Sequence, residues 1–269
     1  MNHLLRERAP ITSDAWTLLD AEAKDVLRTS LGARKLLDVG DPLGWSHSSV
    51  SLGRVTPLPA APAEGVEAAQ RRVLPLVELR CGFEVSLREL QDASRGADDL
   101  DLDELDRAAT QIASAENAIL FHGWQAAGID GVTGAASHAP IPLPNAFDQF
   151  PNAVARAVER LRSAGVDGAY GLALAPAEHT GVVETTEHGG YPLFDHLRRI
   201  LEGPIVRAPG VEGAVVVSLR GGDYVLQLGE DLSLGYVSDD ASTVRLYLEE
   251  TLAFHVANPE AGIWLPRQH

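Results

Sequence analysis

From Val244 to Val256 the apolar residues Val244, Leu246, Leu248, Leu252, Phe254 and Val256 occupy every second position, and only Glu250 breaks the alternation. A period of two marks a β-strand with one face turned to a core. Thirteen residues at about 3.3 Å each extend roughly 40 Å, about twice the usual strand length. The chain must therefore be organised around an unusually long strand. Helical and extended segments are intermixed along the rest, which gives an α+β class.

Two long helices are predicted. Residues 13–31 follow a possible cap at Thr12 or Ser13 and place Trp16, Leu19, Ala23, Val26, Leu27 and Leu31 near one face. Residues 103–127 carry Leu105, Ala109, Ile112, Ala115 and Ile119 as a stripe. The acidic run Asp98–Asp106 precedes that helix, where carboxylates favour the positive helix N-terminus. Its residues are consecutive and lack the glycine of a calcium loop, so a solvated helix start is the better reading than a metal site. Further helices are expected at 148–164 and 192–202. Ala214–Leu219 and Tyr224–Leu228 flank Arg220-Gly221-Gly222-Asp223 and read as a β-hairpin.

Residues 44–84 are the second unusual feature. Stretches at 47–58 and 71–84 flank a small-residue connector, Pro59–Gly65. In the second stretch Val73, Val77, Leu79, Cys81 and Phe83 share one face, while Leu74 and Leu76 add apolar surface to the other. A lone two-stranded ribbon is marginal in water. Its two apolar faces call for a partner. An arm on a neighbouring subunit is the economical explanation; an added strand of a large sheet is the rival.

The net charge of -16 argues against nucleic acid and anionic membrane as partners, since phosphate binding needs clustered cations and only pairs such as Arg71-Arg72 and Arg198-Arg199 occur. No window approaches the roughly 20 apolar residues of a membrane helix. Met1–Asp14 has no apolar run of signal-peptide length, and the single cysteine, Cys81, excludes an intrachain disulfide. A soluble protein in a reducing, intracellular compartment is therefore expected. P-loop, dinucleotide, nucleophile-elbow and zinc-protease motifs are absent. The nine histidines are scattered. The tightest polar cluster, Glu184, Glu187, His188, Asp195 and His196, offers a general acid and base or a weak metal site, but it reads better as a solvated loop. No catalytic residue and no metal ligand is assigned.

Several segments, taken in order, resemble bacterial encapsulins of the first family, the linocin or bacteriocin-like shell proteins. They are Arg8-Ala9-Pro10-Ile11-Thr12 with Trp16, Gly44-Trp45, Leu74–Arg80, and Gly165-Val166-Asp167-Gly168. Toward the C-terminus Glu187–Leu193, Arg220–Asp223, Leu226–Gly229, Leu234-Gly235-Tyr236 and Val244–Thr251 with Phe254 continue the resemblance. Each piece is weak alone; the ordered set covers essentially the whole chain.

The resemblance implies the HK97-type phage major capsid fold and a non-enzymatic shell subunit. In this chain it implies an N-terminal helix and start of the peripheral domain at 1–43, an extended arm at 44–84, and a peripheral domain with spine helix at 85–134. An axial domain at 135–222 with a five-fold pore loop at 184–191, and peripheral strands at 223–269, complete it. The arm would contact a neighbour through Val73, Leu74, Leu76, Val77 and Leu79. Glu184, Glu187, His188, Gly189, Gly190 and Tyr191 would line the pore and favour cations. A cargo enzyme would dock its C-terminal targeting peptide on Leu27, Leu31, Arg34, Asp38, Leu232, Leu234 and Tyr236, although Leu232 and Leu234 are equally readable as core, and Arg34 with Asp38 as a local ion pair. The expected assembly is a homo-oligomer of about 60 chains in the simplest (T=1) icosahedral shell. A dye-decolorising peroxidase is the favoured cargo, a ferritin-like iron oxidase the alternative. No cofactor is expected: where some relatives hold a flavin beside a tryptophan, this chain has Arg88. A genome-packaging capsid subunit and a hydrolase or bacteriocin-like protein are the rival readings.

Overall fold

The computed structural model describes residues 3–187 and 189–267. The long strand is present as β10, Thr243–Val256. On one edge it pairs antiparallel with β4, Val77–Ser86, from Thr243 opposite Ser86 to Leu252 opposite Val77. On the other edge it pairs first with β9, Ser233–Asp239, and then with β8, Tyr224–Leu228. The short β1, Asp38–Val39, runs parallel to β8 and completes a five-stranded sheet. A strand flanked on both edges is covered more fully than alternation alone foretells. Glu249 and Glu250 in mid-strand are both fully buried.

Two helices cover one face of this sheet. In α1, Ser13–Ser30, the Thr12 hydroxyl accepts the Ala15 N–H at 3.3 Å and satisfies one of the orphan donors of the first turn. Leu19 and Leu27 of α1 meet Leu105 and Ile112 of α3, Asp103–His122, over Leu246 and Leu248 of β10. The 20 residues of α3 extend about 30 Å. The helix stops five residues short of the expected 127, because Gly123 turns the chain at φ 84. A Cβ there would stand 2.4 Å from the Asp130 carbonyl oxygen. Between β4 and α3 lies α2, Leu87–Ser94, and after the turn comes α4, Gly131–Ala135.

The second body is a four-stranded sheet in the order β11, β7, β5, β6. Tyr170–Leu174 (β5) runs parallel to Ile205–Arg207 (β6) and antiparallel to Ala214–Ser218 (β7). Every residue of β5 and β7 is buried. Three helices belong to this body: α5, Phe150–Ser163; α6, Pro176–Glu184; and α7, Leu193–Leu201. The predicted hairpin around Arg220–Asp223 does not form: β7 lies in this sheet and β8 in the other. The two glycines instead turn the chain from one sheet to the next, held by Arg220 bonded to both oxygens of Asp223 at 2.9 and 3.0 Å. The segment 223–269 is also shared between bodies, since Gly262–Leu265 (β11) pairs with β7.

Residues 49–75 form a separate two-stranded sheet, β2 (Ser49–Leu58) with β3 (Ala68–Pro75). The expected continuous strand 71–84 is broken at Leu76. Pro75 cannot donate to a ladder, and the chain then enters the main sheet as β4. Val77 and Leu79 therefore belong to that sheet, opposite Leu252 and Glu250, and not to the arm. Val73 remains on the ribbon and is exposed, while Leu74 is half-buried. Leu76 sits at the neck against Gly229. Among the described residues no helix is long and apolar enough to cross a membrane.

Candidate functional site

The C-terminal half of α1 and the strand β9 leave a cleft of about 550 Å³ between them. Leu27 and Leu31 form one wall, Leu232 and Leu234 the other, with Leu248 of β10 beneath. These residues come together because an apolar stripe on a helix and the inner face of a strand both turn toward the same core. Lys24, Arg28 and Asp20 stand at the rim. The N-terminal strap also contributes Leu4 and Arg6, which periodicity did not single out. The Leu4 carbonyl accepts the Tyr236 N–H at 2.9 Å. Arg6 bonds Asp20 at 2.7 Å, and its guanidinium lies 4.0 Å over the Trp16 ring.

Arg34 closes one end of the cleft. Its Nε and Nη2 donate to Glu116 Oε2 at 2.8 and 2.6 Å, Nη2 also to Glu250 at 2.9 Å, and Nη1 to Asp231 at 2.7 Å. Burial pulls the guanidinium down, but Glu116, Glu250 and Asp231 more than offset it and leave its proton held more tightly than usual. Burial first, and then the charge of Glu116, push Glu250 well above the ordinary carboxylate value; Arg34 opposes them. Beside this cluster Asn117 accepts the Ala33 N–H at 2.9 Å and donates to the carbonyls of Ser30 and Pro209 at 2.8 and 2.9 Å. The end of α1, and with it Leu27 and Leu31, is thereby fixed to both bodies.

Five of the seven expected peptide-binding residues therefore converge: Leu27, Leu31, Arg34, Leu232 and Leu234. Asp38 does not. Its carboxylate accepts the Gly222 N–H at 2.6 Å, because β1 pairs with β8 and carries it to the inter-sheet turn. The alternative reading of Arg34 with Asp38 as a local ion pair does not hold either, since Arg34 pairs with Glu116, Asp231 and Glu250. Tyr236 lies beyond the cleft lining, with its hydroxyl on Asp239. Sequence reading missed Glu116, Asp231 and Glu250; the break in alternation at Glu250 was the one visible signal.

The loop after α6 is shaped by two left-handed glycines, Gly189 (φ 100) and Gly190 (φ 81). The Glu187 N–H donates to the Tyr191 carbonyl at 2.8 Å, and Glu187 Oε1 lies 2.8 Å from His196 Nδ1. Glu187 is thus turned to its own α7. Glu184 ends α6 and is exposed. Tyr191 lies under the Arg199 guanidinium at 5.2 Å. His188 lies outside the described residues. Arg88, in the first turn of α2, points largely into solvent, 3.9 Å from Asp92.

A long central strand under a spine helix, a second sheet bearing a turn loop, and a projecting ribbon together define a capsid-type subunit. Solved structures agree on the fold: "Crystal structure of virus-like particle from Pyrococcus furiosus" matches with TM-score 0.66 at 18% identity, covering 93% of this chain and 98% of that one. "The capsid of Myoviridae Phage XM1" matches with TM-score 0.52 at 10% identity, covering 88% and 91%. A family model described as "Encapsulating protein for peroxidase" matches residues 1–253. The "Type 1 encapsulin shell protein" of Rhodospirillum rubrum is 44% identical over 268 residues, 98% of this chain and 96% of that protein. The chain belongs to the encapsulin family, and the relatives it matches at 41–44% identity are named as shell proteins, which makes it a structural shell subunit.

Proposed function

We propose that this chain assembles a closed icosahedral shell of about 60 copies in the bacterial cytoplasm and encloses a cargo enzyme through its C-terminal peptide. The observation that carries the cargo reading is the cleft between α1 and β9, where leucines from two distant parts of the chain face each other beside an anchored arginine. An extended peptide with apolar anchors suits such a cleft: the leucines bury the anchors, and Lys24 and Arg28 at the rim favour acidic groups or a terminal carboxylate. A peroxidase is the favoured cargo, on the strength of the family description; a ferritin-like oxidase is the alternative. The arm residues Val73, Leu74 and Leu76 would wrap on a neighbour. Copies of Glu184 and of the loop to Tyr191 would gather at a five-fold opening and favour cations.

Leu232 is only half-buried, so a charge there is tolerated by the fold. Leu232→Asp is expected to give intact shells whose co-purifying cargo falls at least tenfold, read by mass spectrometry of gradient-purified particles. Cargo retained at the parental ratio would remove the cleft from this role. The net charge of -16 disfavours an inner wall for nucleic acid. An absorbance ratio typical of protein alone in the same particles checks that reading.

A further inference from the structure

Glu230 and Asp231 are adjacent, yet they serve different clusters: Asp231 meets Arg34, whereas Glu230 meets the N-terminal strap. His3 Nε2 lies 2.8 Å from Glu230 Oε2 and 3.5 Å from Glu249 Oε1. These three ligand atoms all lie within 4.8 Å of one another. Each is shut off from solvent, and none makes a hydrogen bond among the described residues. The imidazole nitrogen and the two carboxylate oxygens thus approach closely around a shared space without hydrogen-bond geometry. Glu249 is fully buried, and its other oxygen is taken by Arg80. The Glu230 N–H is held by Thr251 Oγ1 at 2.7 Å. The His3 ring stacks on Trp45, with centroids 3.9 Å apart and planes within 5°. His3 and Glu249 are thus oriented by neighbouring side chains, as metal-binding side chains usually are, and Glu230 is held through its backbone.

We propose that His3, Glu230 and Glu249 bind one divalent first-row transition-metal cation. Bonds of about 2.0–2.2 Å to imidazole nitrogen and carboxylate oxygen set ligand atoms roughly 3–3.5 Å apart; here His3 Nε2 stands 2.8 and 3.5 Å from the two carboxylate oxygens, and all three atoms lie within 4.8 Å. One imidazole with two carboxylates suits Zn2+ or Mn2+ better than Ca2+, which takes six to eight oxygens. Arg80 neutralises one of the two carboxylates. The other carboxylate, Glu230, has its Oε2 shut off from solvent, where negative charge is costly without a cation. The ion would clasp residue 3 to β10 and so hold the strap whose Leu4 and Arg6 line the cleft. The site itself does not depend on what the cleft binds.

The test uses assembled shells stripped with chelator, desalted, and titrated with Zn2+ or Co2+. One tightly held ion per chain is expected to survive gel filtration. Bound Co2+ should quench the Trp45 share of the fluorescence. His3→Ala and, separately, Glu230→Gln should each weaken binding at least tenfold; neither empties the core, since both side chains are partly exposed. Trp45→Phe should keep the ion and lose the quench. No stoichiometric uptake by the parent protein, unchanged affinity in His3→Ala, or a quench persisting in Trp45→Phe would each overturn the assignment.

Discussion

Arg34→Met is expected to destabilise the subunit by about 3–5 kcal/mol, because it strands buried carboxylates that have no second cation among the described residues. Glu116 and Glu250 are fully buried, and Arg34 bonds both. For a chain of this size the loss corresponds to a fall of roughly 6–20 °C in melting temperature. Scanning calorimetry of purified shells reads it, with Lys24→Met at the cleft rim as a control expected within about 0.5 kcal/mol. The deficit should also depend on pH. Burial and Glu116 already raise Glu250 above the ordinary 4.5, and the arginine that opposes them is gone in the variant. A carboxyl whose folded value is raised favours the fold below its unfolded value and loses that contribution as pH rises through the folded one. The penalty of Arg34→Met should therefore be smallest near pH 4.5 and grow above it. Adding Glu250→Gln should recover part of the loss at neutral pH. A variant melting within 2 °C of the parent at neutral pH would show that the cluster contributes little.

Val55→Asp combined with Val73→Asp is expected to abolish assembly while leaving the subunit folded. The two valines are 57% and 45% exposed on the ribbon, so the subunit itself gains little from them. Wrapped on a neighbour, each would contribute about 1.5–3 kcal/mol, and an unpaired carboxylate in the same place adds a desolvation cost. The loss recurs at every copy of the interface around the shell. Light scattering on the purified variant should report single subunits or small oligomers, with circular dichroism unchanged. Normal shells from this variant would show that the ribbon does not carry the contact.

Much of the fold was readable from local pattern. The alternation at 244–256 matches a strand at 243–256, and the stripe and cap at 12–31 match α1. Of the apolar stretch at 71–84, residues 77–84 joined the main sheet, as the rival reading of an added strand had it, and only residues up to Pro75 stayed in the exposed two-stranded sheet. The hairpin at Arg220–Asp223 failed for a reason local pattern cannot show. Two strands joined by a glycine turn look the same whether they pair with each other or leave for different sheets. The cleft was legible in its leucines and in Arg34, but not in the carboxylates that hold Arg34.

Periodicity states which face of a helix or strand is turned inward, because side-chain direction repeats at 3.6 or 2 residues. From the sequence alone came the long strand, the two major helices, the unpartnered ribbon and the ordered motifs of the family. Only the tertiary structure decided that Glu249 and Glu250 lie buried, that Asp38 leaves the cleft, and that His3 reaches both Glu230 and Glu249. The physical reason is separation along the chain: Arg34 meets partners 82 and 216 residues away, and no local pattern encodes which distant charge will share a buried space.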